Sequence, residues 1–429
     1  MKELTAIIIG AGARGQIYAH QMKEHGGFKV VGVADPIPLQ RNDIKNLYNL
    51  SEEACFNSWE DILSQPKMAD IAVISTVDKE HYLPALAAIE KGYDLLLEKP
   101  VAPTAKECAD IRNAAKKKGC KILVCHVLRY TPFFMKIKEL ISSGAIGKVL
   151  SVHHCECVGH LHYAHSYVRG NFGNTADSSC MLLAKSCHDI DILQWLVNSE
   201  CKKVSSFGTL SHFTRDNAPD GAPEYCIEGC PYEKECHYSA LKQYLNADEK
   251  SWFKSKEAGA AALKVECNEE AVKKALSTTQ FGKCVYKCNN DVVDHQVVNI
   301  EFTNGAVASF NMSAFNHHGR FIRVMGTEGE IYGDIDADIV KYFSFKTCEH
   351  EIIHPANTAV DSAMRGGHAG GDKGIIQTLY KYLVEGYDGD LLSEIGISVY
   401  NHLITFAAEE SRLNNRIVQM DEFTKAYLK

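Results

Sequence analysis

Apolar residues come in short unbroken runs over the first third of the chain and in strict alternation further on. Residues 5–9, 30–34, 71–75, 93–97 and 121–125 are the short runs, each bounded by glycine, proline or polar residues. Such runs predict strands buried on both faces. Between them, residues 16–24, 83–91 and 105–118 space their apolar positions three and four apart, which predicts amphipathic helices. Strand and helix taking turns predict a doubly wound parallel sheet. From residue 149 the period shortens to two. Residues 297–302 and 306–312 flank Asn304-Gly305, a dipeptide suited to a hairpin turn, and residues 321–325 and 330–332 continue the series. Helical spacing returns at 374–385 and 393–412.

The expected fold is therefore α/β. A Rossmann-type doubly wound domain covers 1–125, and an α+β domain with a largely antiparallel open sheet covers 126–429. Residues from about 211 to 288, rich in Cys, Lys, Glu and Ala, read as an insertion in the second domain.

The first strand runs directly into Gly10-Ala11-Gly12-Ala13-Arg14-Gly15, and the second ends at Asp35. A strand before, a helix after and an acidic residue closing the next strand give this glycine motif a definite meaning. The glycines permit a tight turn and let backbone N–H groups approach a pyrophosphate at a helix N-terminus. Asp35 is placed to accept hydrogen bonds from the adenosine ribose. A carboxylate there repels a 2′-phosphate, so the expected cofactor is NAD rather than NADP.

Composition narrows the partners. The chain has 429 residues, 45% hydrophobic and 23% charged, with a formal net charge of −8. That balance is globular and argues against nucleic acid or an anionic membrane as the main partner. The apolar run at residues 6–9 is too short for a secretory core, and no stretch is long enough to span a membrane. The expected compartment is the cytoplasm. Sixteen cysteines then have to be explained without disulfides. Cys108, Cys120 and Cys125 stand singly in apolar patterns and read as small buried hydrophobes.

With Glu98-Lys99-Pro100 after the fourth strand, the chain resembles the Gfo/Idh/MocA family, the glucose–fructose oxidoreductase and inositol 2-dehydrogenase relatives. The glycine motif and Asp35 match its cofactor fingerprint. Ser75-Thr76 with His81 resembles its third-strand segment. Arg129-Tyr-Thr-Pro132 followed by Gly144-Ala-Ile-Gly147 looks like its domain-crossing segment. His188-Asp-Ile-Asp191 lies where the family places a catalytic histidine and a following aspartate. The resemblance implies that Gly10, Gly12, Ala13, Arg14, Gly15, Asp35, Ser75, Thr76, His81, Glu98, Lys99 and Arg129 serve the cofactor. It also implies a sugar-type substrate, and relatives are often dimers or tetramers. One departure stands out. The family commonly has an aspartate four residues before the histidine and a glycine two before; here those positions are Ala184 and Ser186, with Lys185 between.

Oxidising a secondary alcohol requires a base for the hydroxyl proton, most effective with a pKa near the working pH. Lys99, at a strand C-terminus, and His188 are the expected acid/base pair, with Lys185 as a further proton carrier. Tyr163, His165 and Arg169 lie in a polar aromatic loop able to bind sugar hydroxyls. Asp191 and His368, the latter in the glycine-rich run 366–372, complete the substrate candidates. Two activities fit: dehydrogenation of a sugar, polyol or glycoside, or glycoside cleavage by transient C3 oxidation, elimination and re-reduction. His153, His154, Cys155, Cys157, His160 and His162 invite a metal reading, but alternation along a strand sends neighbours to opposite faces. Cys226, Cys230 and Cys236 fall within eleven residues, with Cys284 beyond. Close cysteine spacing in a reducing compartment suggests structural zinc.

Overall fold

A computed structural model describes residues 2–358 and 370–428. Six strands form the first sheet: β1 (Leu4–Ile9), β2 (Phe28–Ala34), β3 (Cys55–Phe56), β4 (Ile71–Ile74), β5 (Asp94–Leu97) and β6 (Ile122–Val124). All pair parallel in the order β3-β2-β1-β4-β5-β6. Helices Ala13–His25, Tyr82–Glu90 and Ala105–Lys118 cross between them, as their apolar spacing predicts. The strand order reverses between β1 and β4, and the carboxyl edge there is where such sheets take ligand. The second half builds a nine-stranded sheet from β7 (Val149–Cys157), β8 (Cys201–Thr209), β9 (His295–Phe302), β10 (Val307–Ser313), β11 (Gly319–Gly326), β12 (Gly329–Asp334), β13 (Ile339–Ser344), β14 (Glu349–Ile353) and β15 (Val418–Gln419). Its order is β14-β13-β12-β11-β7-β10-β9-β8-β15, antiparallel throughout except where β7 and β10 run parallel.

The anticipated hairpin forms between β9 and β10, with Gly305 at φ +86° supplying the left-handed residue that the turn needs. From Ser151 onward β7 alternates: Val152, His154 and Glu156 are buried, and Ser151, His153, Cys155 and Cys157 lie on the more open face. Helix Ile395–Asn414 lies between the two sheets, packing on helix Ala105–Lys118 on one side and β8 on the other. Helix Gly371–Tyr380 returns to the first sheet, where Ile375, Ile376, Leu379 and Tyr380 share an apolar cluster with Leu4, Tyr18 and Met22. The layer around the first sheet is therefore completed by residues far beyond 125. Within 211–288, residues around Tyr244 and Leu276 make a small apolar cluster of their own.

Candidate active site

The glycine turn shows which of its glycines the chain itself requires. Gly10 has φ +90°, and a Cβ there would lie 2.5 Å from the backbone of Ser75. A Cβ on Gly15 would lie 2.1 Å from the Gly10 carbonyl. Ser75 Oγ closes the same contact by donating to the Gly10 carbonyl at 2.7 Å. Gly12 is different: its φ is ordinary and nothing lies within 4 Å of the position its Cβ would take. That open face at the start of a helix is the space a pyrophosphate would enter. Ala13 is the first residue of that helix. Asp35, 6% exposed, receives the Ala11 N–H at 2.7 Å and the Ile37 N–H at 2.8 Å, which fixes its carboxylate beside the turn. These residues fit a dinucleotide with free ribose hydroxyls.

Beneath the turn lies a charged cluster. Arg14 pairs with Glu98 at 2.6 Å and with Asp372 at 2.6 Å, and Tyr18 donates to the same Glu98 oxygen at 2.6 Å. Burial alone would raise the Glu98 pKa; Arg14 and Lys99 reverse that and hold it below the ordinary carboxylate range. The Lys99 N–H binds the other Glu98 oxygen at 2.7 Å. His81 is buried, with one ring nitrogen 2.6 Å from the Pro100 carbonyl and the other 3.1 Å from the Thr76 carbonyl. Glu98 and His81 thus fix the backbone on either side of Lys99. The Thr76 hydroxyl turns back to the Glu80 carbonyl.

Lys99 crosses to the second domain and donates to the Ala184 carbonyl at 2.7 Å. The next residue, Lys185, lies 3.4 Å from Glu156 on the inner face of β7. Glu156 also faces Arg320, which donates to Asp189 at 2.8 Å; Asp189 in turn lies 2.8 Å from His154 Nε2. Burial lowers the Lys185 pKa, and Arg320 and Lys99 add to that against the pull of Glu156. His188 is buried, its ring edge-on to His126 at 5.8 Å, and His126 is edge-on to His402 at 5.5 Å. The structure thus gathers Lys99, Lys185 and the helix start carrying His188 at one place, on the carboxyl edge of the first sheet.

Other candidates go elsewhere. Asp191 and Arg129, both 1% exposed, face each other in a bidentate pair at 2.7 Å and 2.7 Å, with Asn401 donating to Asp191 at 2.6 Å. Tyr163 is fully buried and donates to the Val293 carbonyl at 2.9 Å. His165 lies 2.6 Å from the Tyr244 hydroxyl and stacks on Phe281; burial pushes its pKa down to about 4. Arg169 is buried and donates to the Lys283 and Tyr238 carbonyls, each at 2.8 Å. His165 and Arg169 hold the insertion to the domain, and Tyr163 stacks on Phe213 at its start. His368 lies outside the described residues.

The zinc expectation is corrected. Among the described residues no three His, Cys, Asp or Glu side chains converge closely enough to hold a metal ion. Cys226 instead accepts from the Arg169 guanidinium at 3.7 Å, and a cation so placed opposes a second cation. All sixteen cysteines are free thiols.

Sequence reading missed Asp78, Glu156, Asp189 and Arg320. Asp78 is buried just past β4; it accepts from Ser178 at 3.0 Å, and burial raises its pKa against the effects of His81 and Lys99. It borders a cavity of about 230 Å³, with Asn171, Asn174, Asp177, Gln280 and Asn289 also on its wall. Its one sequence signal is an acidic residue three before His81, within the segment already noted.

Family profiles bear on this geometry directly. The profile described as "Oxidoreductase family, NAD-binding Rossmann fold" matches residues 4–126, and "Oxidoreductase family, C-terminal alpha/beta domain" matches 138–349. The chain belongs to the Gfo/Idh/MocA family. A family member from Lactiplantibacillus plantarum, an inositol 2-dehydrogenase/D-chiro-inositol 3-dehydrogenase, is 28% identical over 47% of this chain and 54% of its own length. The 2,7-anhydro-N-acetylneuraminate hydratase of Escherichia coli is 26% identical over 48% of this chain and 53% of its own. This chain thus spans about half the length of each of these relatives. A levoglucosan dehydrogenase solved with NADH and levoglucosan shares the fold at TM-score 0.70 and 18% identity, covering 98% of this chain and 100% of that one.

Proposed function

We propose that the protein is an NAD-dependent oxidoreductase acting on a secondary hydroxyl of a sugar, polyol or glycoside. The observation that carries this reading is Lys99, held by Glu98 and His81 at the carboxyl edge of the first sheet, with its ammonium reaching Ala184 beside Lys185. Bound NAD would supply the hydride-accepting ring. Gly12 leaves the approach for its pyrophosphate, and Asp35 takes the ribose hydroxyls. Lys99 holds the reacting oxygen and, in its neutral amine form, accepts the hydroxyl proton to become the ammonium. Lys185, with its pKa lowered by burial, is the second proton carrier in place of the aspartate the family commonly has at position 184. The amide- and carboxylate-lined cavity beside Asp78 suits a polyhydroxylated ligand. Names of relatives support the substrate class: an inositol and an anhydrosugar dehydrogenase.

The test is NADH formation with myo-inositol, levoglucosan and a panel of hexoses, together with NAD affinity by titration. Lys99→Met should lower kcat by about 10²–10⁴-fold, the scale for a lost acid/base group, while NAD stays bound. A variant that keeps most of its turnover would make Lys99 a structural residue, and failure to bind NAD at all would remove the whole reading.

A second reading is favoured by the hydratase relative, whose name describes addition of water without net oxidation. Here the protein cleaves a glycoside and NAD is restored within each turnover. Aglycone released from a chromogenic glycoside over many turnovers, at substoichiometric NAD and without NADH build-up, would establish it. NADH rising in step with substrate consumed would exclude it.

The free thiols support a reducing compartment such as the cytoplasm. We also assign self-association to the outer face of the nine-stranded sheet. Register places Phe207, Val307, Phe321 and Tyr332 on that face, where they are 62%, 46%, 43% and 39% exposed. Light scattering should find a homodimer or homotetramer that Phe207→Glu weakens; a monomeric parent protein would refute the assignment.

A further inference from the structure

The cavity of about 230 Å³ beside Asp78 is built by three segments that are distant in sequence. Asp78 follows β4, the wall around residues 168–178 comes from the stretch between β7 and helix Cys187–Val197, and Gln280 and Asn289 come from the end of the insertion. Hydrogen bonds fasten the last two together. Asn174 donates to the Asn289 carbonyl at 2.8 Å, the Thr175 N–H donates to Asp291 at 2.7 Å, and the Asp291 N–H donates to the Gly173 carbonyl at 3.0 Å. Gln280 reaches Asn171 at 3.3 Å across the mouth. The insertion therefore forms part of the cavity wall.

Floor and mouth differ in a way that bears on the ligand. Asp78 and Ser178 are buried, whereas Asn171, Asp177, Gln280 and Asn289 are exposed. Among the described residues Ser178 is the only hydrogen-bond donor to the Asp78 carboxylate, which leaves it acceptor capacity for a ligand hydroxyl. Carboxamides at the mouth donate and accept, as a hydroxyl does. Among the described residues no lysine or arginine lines the cavity, and two aspartates do. An acid entering here would meet like charge on both levels without a cation on the wall. An ammonium would be opposed by Lys99, which lies within electrostatic reach of Asp78. A neutral ligand rich in hydroxyls escapes both penalties.

Resting on the oxidoreductase reading above, we propose that this cavity selects uncharged sugars or polyols and rejects their acidic counterparts. Asp78 accepts a ligand hydroxyl at the floor, Asp177 repels carboxylates and phosphates at the mouth, and Gln280 brings the insertion into substrate choice. Asp78 is thus a specificity residue, and Lys99 and Lys185 keep the proton work.

The experiment is calorimetric titration of the full chain, with and without NADH, against three panels: hexoses with inositols, hexuronates with inositol phosphates, and hexosamines. At least one neutral compound should bind, and its charged counterparts should bind about tenfold or more weakly, the scale of one like-charge contact. Asp78→Asn keeps an oxygen for Ser178 and should shrink the penalty on acids severalfold. Gln280→Ala should weaken the neutral ligand. Should Asp78→Asn fail to fold, the three panels on the parent protein decide alone. Equal or tighter binding in either charged panel, or binding in none, overturns the proposal. Selective binding of a neutral compound without NADH formation from NAD would remove the oxidoreductase reading and support this one; turnover confined to the acids would do the reverse.

Discussion

At the scale of single residues, the sharpest feature is that neighbours along the chain have unrelated work. Lys185 faces Glu156, Ala184 offers only its carbonyl to Lys99, and Asp189 is committed to Arg320 and His154. Asp35 fixes the glycine turn through Ala11, and in the proposed function it also takes the ribose hydroxyls. Asp35→Ala should weaken NAD and narrow its advantage over NADP by about tenfold, about 1.4 kcal/mol. Titration of both cofactors checks this, and an unchanged ratio would take cofactor choice away from Asp35. His126 gives a pH prediction. Burial pushes its pKa to about 4, against about 6.5 unfolded. The unfolded chain therefore binds the extra proton first as pH falls. The stability that neutral His126 contributes is complete above about pH 6.5 and is lost on the way down to about pH 4. His402, pushed to about 3, and His165 act in the same direction. Melting temperature should fall over that window, and less steeply in His126→Asn; parallel curves for the two proteins would contradict it.

At the scale of elements, charged pairs determine which segments meet at the turn. Arg14, at the start of helix Ala13–His25, reaches Glu98 after β5 and Asp372 at the start of helix Gly371–Tyr380. Asp372→Asn should cost about 1.5–3 kcal/mol, the range for a hydrogen bond to a charged group, and should loosen NAD binding because Arg14 sits beneath the glycine turn. Chemical denaturation and cofactor titration measure the two effects; loss of neither would make the pair incidental. The β7 strand shows how much a period of two reveals. Alternation in the sequence establishes that its histidines and cysteines cannot share one focus. It does not reveal that His154 and Glu156 face Asp189 and Arg320, because those partners arrive from a helix and from β11.

At the scale of the whole molecule, the Arg129–Asp191 pair connects the segment after β6 with helix Cys187–Val197, and Asn401 adds helix Ile395–Asn414. Removing one partner leaves a buried charge uncompensated, so Arg129→Met should destabilise by about 3–5 kcal/mol. It should do so without a specific loss of NAD affinity in whatever remains folded. A stable variant that binds NAD poorly would return Arg129 to the cofactor. The parallel sheet, the glycine turn with Asp35, the hairpin at Asn304-Gly305 and the position of Lys99 were all readable from sequence. Each depends on neighbours within a few residues or on a single period of hydrophobicity. The roles of Tyr163, Arg169 and Asp191 were not readable, because a polar residue in a loop carries the same letter whether it meets a ligand or a buried carbonyl. Sequence by itself determined the local conformations and the chemistry available, since backbone sterics and apolar spacing act over short range. Only the tertiary structure decided which charges neutralise one another, that Lys99 reaches the Ala184 carbonyl beside the Lys185–Glu156 pair, and that four distant cysteines line one cavity. Burial and long-range pairing assign those partners, and neither is encoded in the order of nearby residues.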